Sequence, residues 1–203
     1  MNPLKSIPGT IAAGFVLAVV IMLMLGTTGT PNPWEFWVWL HVMTGITWIG
    51  LLYYFNFVQV PGVGKALAEK DSGGPGPAAI NKYIAPTALF WFRWAAVATW
   101  ITGALALEAL HTTEGSGFVA AFTFAEGYAV IGMGAWLGTI MLLNVWGLIW
   151  PNQKKILGLD GKTHSPEVIA KAKVVALMAS RTNTMLSIPM LLGMTAFAHG
   201  LPF

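Results

Sequence analysis

Five apolar stretches, at residues 7–26, 34–58, 85–111, 120–150 and 168–199, take up most of this chain. Each is long enough for a helix to cross the hydrocarbon of a bilayer, which takes about 20 residues. Threaded through a membrane in that order, they bring all eleven Lys and Arg residues to one side, from Lys5 through the loop holding Lys65, Lys70 and Lys82 to Arg93, the Lys154–Lys173 loop and Arg181. The other side has none. Short basic loops are held back from translocation, so the basic side is expected to be cytoplasmic, with the N-terminus inside and the C-terminus periplasmic.

The composition leads to the same class. With 56% hydrophobic and only 9% charged residues, a soluble domain of 203 residues would have little polar surface to present to water. The first stretch is as long as a full span and lacks a clear small-residue cleavage site, so it reads as a helix rather than a signal peptide. The net charge of +3 belongs to the loops, where it favours anionic membrane lipid and gives no reason to invoke nucleic acid. The expectation is an all-α, multi-pass protein of the bacterial inner membrane: one domain over 1–203, a bundle of five transmembrane helices with antiparallel neighbours. In the loop 60–84 the run Ser72-Gly73-Gly74-Pro75-Gly76-Pro77 cannot propagate a helix, and 151–167 reads as a structured turn before the cap of the last helix. Gly134 and Gly138 have the spacing that lets helix backbones approach closely, with a cofactor against those glycines as the alternative.

The absence of Cys excludes disulfides, covalent haem attachment through CxxCH, iron–sulfur ligation and thiol chemistry. A redox centre would have to use His, Met or carboxylates. Of the four His residues, His164 lies in the inner loop and drops out, while His41, His111 and His199 all lie toward the outer leaflet. His41 sits about 10 Å into the second helix, with Gly45 and Trp48 on the same face at i+4 and i+7. A glycine followed by a large aromatic suits a flat macrocycle held by imidazole. A neutral His hydrogen-bonded to a carbonyl or carboxylate is the alternative.

His111 and His199 end the third and fifth helices, and either could pair with His41 around a haem b. The same three residues are the candidate metal ligands, and Glu108 lies at i, i+3 from His111 as a possible orienting carboxylate. Toward the inner face, Arg93, Asn144, Arg181 and Asn183 are candidates for binding an anionic substrate, with snorkelling of the Arg side chains to lipid phosphate as the alternative. Most Trp residues fall at helix ends as interfacial belts; Trp48, Trp100 and Trp136 are deeper.

The segments Trp39-Leu40-His41-Val42, Gly45-Ile46-Thr47-Trp48-Ile49-Gly50 and Tyr53-Tyr54-Phe55-Asn56-Phe57-Val58-Gln59 resemble the integral-membrane domain of the bacterial urate hydroxylase family. So do Phe90-Trp91-Phe92-Arg93-Trp94, the stretch from Asn144-Val145-Trp146 to Lys154-Lys155, and Arg181-Thr182-Asn183 with Ser187-Ile188-Pro189. The resemblance implies a membrane-bound, urate-oxidising enzyme. Family members often carry a C-terminal c-type cytochrome domain; without one here, a separate cytochrome c or other membrane-complex subunits would accept the electrons. The acidic outer residues Glu35, Glu108, Glu114 and Glu126 would suit a basic cytochrome. Where the family often has His-Asn-Asn, this chain has Thr182-Asn183-Thr184, which leaves the substrate open. His41 followed by Trp48 also distantly resembles the small protoporphyrinogen-oxidase-like membrane haem proteins. The other function class is a non-catalytic accessory subunit of a larger membrane complex.

Overall fold

The computed structural model describes residues 2–26, 30, 32–112 and 115–202, without the side chains of His111 and Thr112. The chain divides into two units, Met1–Asn32 and Pro33–Phe203. In the first, a turn at Pro3–Lys5 leads into helix α1, Ile7–Leu25. Ser6 caps α1, its Oγ accepting from the Gly9 N–H at 3.2 Å, and Pro8 sits in the first turn, where a missing N–H costs nothing. The helix is apolar all round, as suits surroundings of hydrocarbon.

The second unit opens with α2, Pro33–Tyr54, which passes through a π turn at Phe55–Gln59 into α3, Val60–Ala68. A second π turn, Ile80–Ile84, starts the return helix α4, Ala85–Ala109. A small antiparallel pair follows, β1 at His111–Thr112 and β2 at Gly115–Ser116. Then come α5, Gly117–Phe122, and α6, Ala129–Asn144, with a third π turn at Val145–Ile149 leading to α7, Trp150–Ile156. The last helix, α8, runs from Pro166 to His199 behind Ser165, whose Oγ accepts from the Val168 N–H. Helix α2 packs along α4, and α6 with α7 along α8, each pair antiparallel. Trp48, Leu52 and Phe55 meet Phe92 and Ala96 of α4 and Met141, Val145 and Ile149 in one core, with the Phe55 and Phe92 rings edge to face at 5.4 Å.

The three π turns have one cause. Each is closed by an i+5 bond, from the N–H of Val60, Ala85 or Trp150 to the carbonyl of Phe55, Ile80 or Val145. The next residue in each case is a proline: Pro61, Pro86 or Pro151. A proline ring would clash with the carbonyl four residues back, and its missing N–H leaves that carbonyl unpaired. Widening the preceding turn by one residue lets the helix continue without a break. Residues 60–68 and 150–156, which the sequence assigns to loops from 60 and 151 onward, are therefore helical.

Four segments are long and apolar enough to cross a membrane among the described residues: Ile7–Leu25, Pro33–Ala68, Ile80–Ala109 and Ala129–Ile156. Helix α8 is longer than any span needs, but Arg181, Asn183 and Ser187 with their neighbouring threonines dilute its hydropathy, and it is not one of the four. Two boundaries differ from expectation. The stretch 120–150 is not one helix, because Phe124 at φ 55° and Gly127 at φ 79° adopt left-handed conformations that no α-helix continues, and α5 folds back against α6. The third helix ends at Ala109, so His111 is a strand residue opposite Ser116 and loses its helical i, i+3 relation to Glu108. The Glu108 carboxylate instead accepts from the Ser116 hydroxyl.

Close approach of α6 and α8 rests on a glycine from each helix. A Cβ at Gly193 would lie 2.8 Å from the Val130 carbonyl oxygen and 2.9 Å from the Gly134 nitrogen, whereas one at Gly138 would meet nothing within 4 Å. The pairing is Gly134 with Gly193 across the helices rather than Gly134 with Gly138 along one. Gly193→Ala is expected to destabilise the bundle by about 1–3 kcal/mol, measured by unfolding in detergent, while Gly138→Ala leaves it unchanged. In the loop after α7, His164 Nε2 donates to Asp160 Oδ2 at 2.7 Å, and this bond holds the Asp160 carboxyl below the usual carboxylate range. The contact is fully made above the ordinary carboxylate pKa and lost as pH falls through the lowered one. NMR titration should show the Asp160 midpoint rising toward its ordinary value in His164→Ala.

Candidate functional site

The seam between α2 and α4 holds His41. Its Nδ1 lies 2.8 Å from the Thr99 carbonyl oxygen. A carbonyl only accepts, so Nδ1 carries the proton and Nε2 keeps its lone pair. The ring occupies the space that a side chain at position 103 would fill: a Cβ on Gly103 would stand 2.8 Å from His41 Cε1 and 2.9 Å from Nδ1. One helix turn further along α2, Thr44 faces Thr102 of α4, their hydroxyls 3.4 Å apart. Every threonine of the seam also bonds back into its own helix: Thr44 to Leu40, Thr99 to Ala95 and Thr102 to Ala98. These polar groups are thereby satisfied at membrane depth, and the imidazole is the one ring among them with a basic lone pair to offer.

The other haem candidates are placed as follows. A Cβ on Gly45 would meet Thr99 Cγ2 at an ordinary 3.7 Å, so no close approach requires this glycine. Trp48 is 2% exposed in the core, its indole N–H buried without an acceptor. His199 is exposed in the last turn of α8. The side chain of His111 and all of Glu114 lie outside the described residues. Among the described residues no three His, Asp or Glu side chains converge on a metal position. The deeper tryptophans brace helices: Trp100 Nε1 donates to Thr139 on α6 at 2.9 Å, and Trp136 Nε1 to the Phe122 carbonyl of α5 at 3.0 Å.

A second polar region runs along α8, where Ser180, Asn183, Thr184 and Ser187 recur at i, i+3, i+4 and i+7. From α2, Asn56 Nδ2 donates to Ser180 Oγ at 2.8 Å, and the Tyr53 hydroxyl lies 2.9 Å from Ser187 Oγ. From α6, Asn144 Nδ2 donates to Asn183 Oδ1 at 2.7 Å and to the Ala179 carbonyl at 2.9 Å. Asn183, fully buried, returns a bond from Nδ2 to the Met141 carbonyl at 3.0 Å. Asn144 also lines an apolar groove of about 650 Å³ between α6 and α8, with Ile140, Leu143, Val174 and Met178.

The four residues expected to bind substrate are spread out. Asn144 and Asn183 are joined to each other, Arg181 is exposed, and Arg93 on α4 lies over the Trp150 ring with its Cζ 3.9 Å from the centroid.

Residues 105–202 match the family model described as urate oxidase N-terminal. Over those residues, just under half of the chain, it is similar to this family. No curated protein and no solved structure matches the chain. The urate oxidase N-terminal segment runs from the end of α4 through α8 and so contains Asn144 and the whole polar row of α8. His41, Thr99 and Gly103 precede it.

Sequence reasoning missed Thr99 and Gly103, although Thr99, Thr102 and Gly103 stand at i, i+3 and i+4 on α4 as the small and polar face opposite His41. It also missed Tyr53, Asn56 and Ser180, for which the period of the polar residues on α8 was the available signal. Asn183→Ala would leave one Asn144 N–H without its partner at a buried site and remove one of the two donors to the Met141 carbonyl, the other being the Val145 N–H. It is expected to cost about 1–2 kcal/mol in detergent unfolding, whereas Arg181→Ala on the exposed face should be neutral.

Proposed function

We propose that this protein is a redox protein of the urate hydroxylase type, spanning the bacterial inner membrane five times with its basic end in the cytoplasm. In this reading it holds haem b and passes electrons to a c-type cytochrome at the periplasmic end. The match of residues 105–202 to the urate oxidase N-terminal family supports the general class. The haem reading rests on one observation: the bond from His41 Nδ1 to the Thr99 carbonyl leaves Nε2 deprotonated in a ring that Gly103 gives room to sit. A ligating imidazole almost always donates its other N–H in this way, which fixes its tautomer and raises its basicity.

His41 Nε2 would hold the iron, with His111 or His199 completing or supporting the site. Haem b, when bound, would carry one electron at a time. The chain's own contribution is to orient the imidazole, through Thr99 and Gly103, beside threonine hydroxyls already bonded to their own helices. Glu35, Glu108 and Glu126, toward the periplasmic end, would attract a basic acceptor in a salt-sensitive way.

The second reading, a non-catalytic subunit of a larger membrane complex, is favoured by the lack of converging His and carboxylate side chains among the described residues. An optical spectrum of protein purified from haem-replete cells separates the two. The haem reading expects a Soret band that is lost in His41→Ala with helical content unchanged. It expects haem affinity to fall about 10–100-fold in Gly103→Ala, where a methyl displaces the ring, and no change in His164→Ala. Wild-type protein without a Soret band, co-purifying with stoichiometric partners, would establish the accessory subunit instead.

A further inference from the structure

We propose that Arg93, Trp150 and Lys154 form a binding site for the headgroup of an anionic phospholipid at the basic end of the bundle. Arg93 projects from α4 and lays its guanidinium over the Trp150 indole, with Cζ 3.9 Å from the ring centroid and 5.3 Å from that of Phe90. Lys154, one turn beyond Trp150 on α7, brings its Nζ to 5.6 Å from the same indole. Two cations from different helices thus share one aromatic ring, which caps their separation at the sum of the two distances to it.

Like charges brought this close repel, and the structure supplies neither with an acid: among the described residues the only ion pair is His164 with Asp160. The indole offsets part of the repulsion through its π face. An anion bridging guanidinium and ammonium would offset the rest, and the fork of Arg93 is suited to two oxygens of one phosphate.

The surroundings select a lipid over a soluble anion. Phe90, whose ring the Arg93 guanidinium overlies, is about half exposed, as are Trp91 and Trp94 in the same stretch of α4. Exposed tryptophans next to snorkelling cations mark the headgroup level of a membrane, and an amphiphile with a charged head and apolar tails covers both kinds of surface at once. The shared chemistry is a phosphate oxyanion. The presence of tails distinguishes the lipid from free phosphate.

The test is native mass spectrometry of the full chain released from detergent micelles doped with phosphatidylglycerol or phosphatidylcholine. Retention of phosphatidylglycerol over phosphatidylcholine is expected. It should fall about fivefold in Lys154→Gln and about twentyfold in the Arg93→Gln, Lys154→Gln double variant, each surface cation contributing similarly. The Lys162→Gln, Lys171→Gln pair, which removes the same charge elsewhere at the basic end, should retain the lipid as wild type does. Lys154→Gln changes only a half-exposed end of α7, so it gives the answer even if the double variant does not fold. Equal loss in the two double variants, or equal retention of both lipids by the wild type, would overturn the site. Displacement of phosphatidylglycerol by inorganic phosphate alone would overturn the lipid assignment in favour of a soluble anion.

Discussion

A peptide group in hydrocarbon has no water to bond, so each N–H and C=O of a spanning segment must find its partner within the fold. Most features of the bundle follow from that constraint. Helices satisfy the backbone locally, and the threonines of the α2–α4 seam return their hydroxyls to carbonyls of their own helices. Prolines at positions 61, 86 and 151 threaten the arrangement, and a π turn before each keeps the helix running. Asn144 and Asn183 complete each other between α6 and α8, whereas the buried indole N–H groups of Trp48 and Trp146 go without an acceptor.

The same constraint divides the molecule along its length. All three π turns lie toward the end that carries the Lys and Arg residues, together with Asn56, Asn144 and Arg93. The polar row of α8 opens near that end. His41 lies in the other half of α2, beyond Trp48 and the apolar core, and meets only the small and hydroxyl-bearing face of α4. Separation by a packed core matters chemically: a basic nitrogen at His41 has no nearby Lys or Arg on its seam to raise its cost of binding a cation.

Four of the five expected spans were legible because hydropathy is summed over many residues. The helix ends were less so, since a single backbone angle decides them. Phe124 in a left-handed conformation breaks the fourth stretch, and nothing in an aromatic side chain announces that. A proline ordinarily ends a helix, yet at Pro61 and Pro151 the helix continues, because the turn before each is widened by one residue. The glycine pattern was readable only in part. Gly134 and Gly138 share a helix face, but which of them meets another backbone depends on where α8 carries its own Gly193. Likewise His41 was identified from its depth, while its real neighbours, Thr99 and Gly103, lie on another helix and enter through register alone.

The family match and the haem reading therefore rest on different parts of the chain. The match to the urate oxidase N-terminal family begins at residue 105, after Gly103, and its most distinctive contacts are the Asn144–Asn183 pair and the serine and threonine row of α8. The seam that fixes His41 is built entirely from residues before that point. Neither half supports the other by sequence. They are coupled through α4, which runs on from Gly103 into the matched segment, through Trp100 Nε1 to Thr139 of α6, and through Tyr53 to Ser187 and Asn56 to Ser180 on the polar face of α8. The shortest of these routes to the His41 imidazole is the one through Trp100, which stands next in α4 to Thr99, whose carbonyl holds Nδ1.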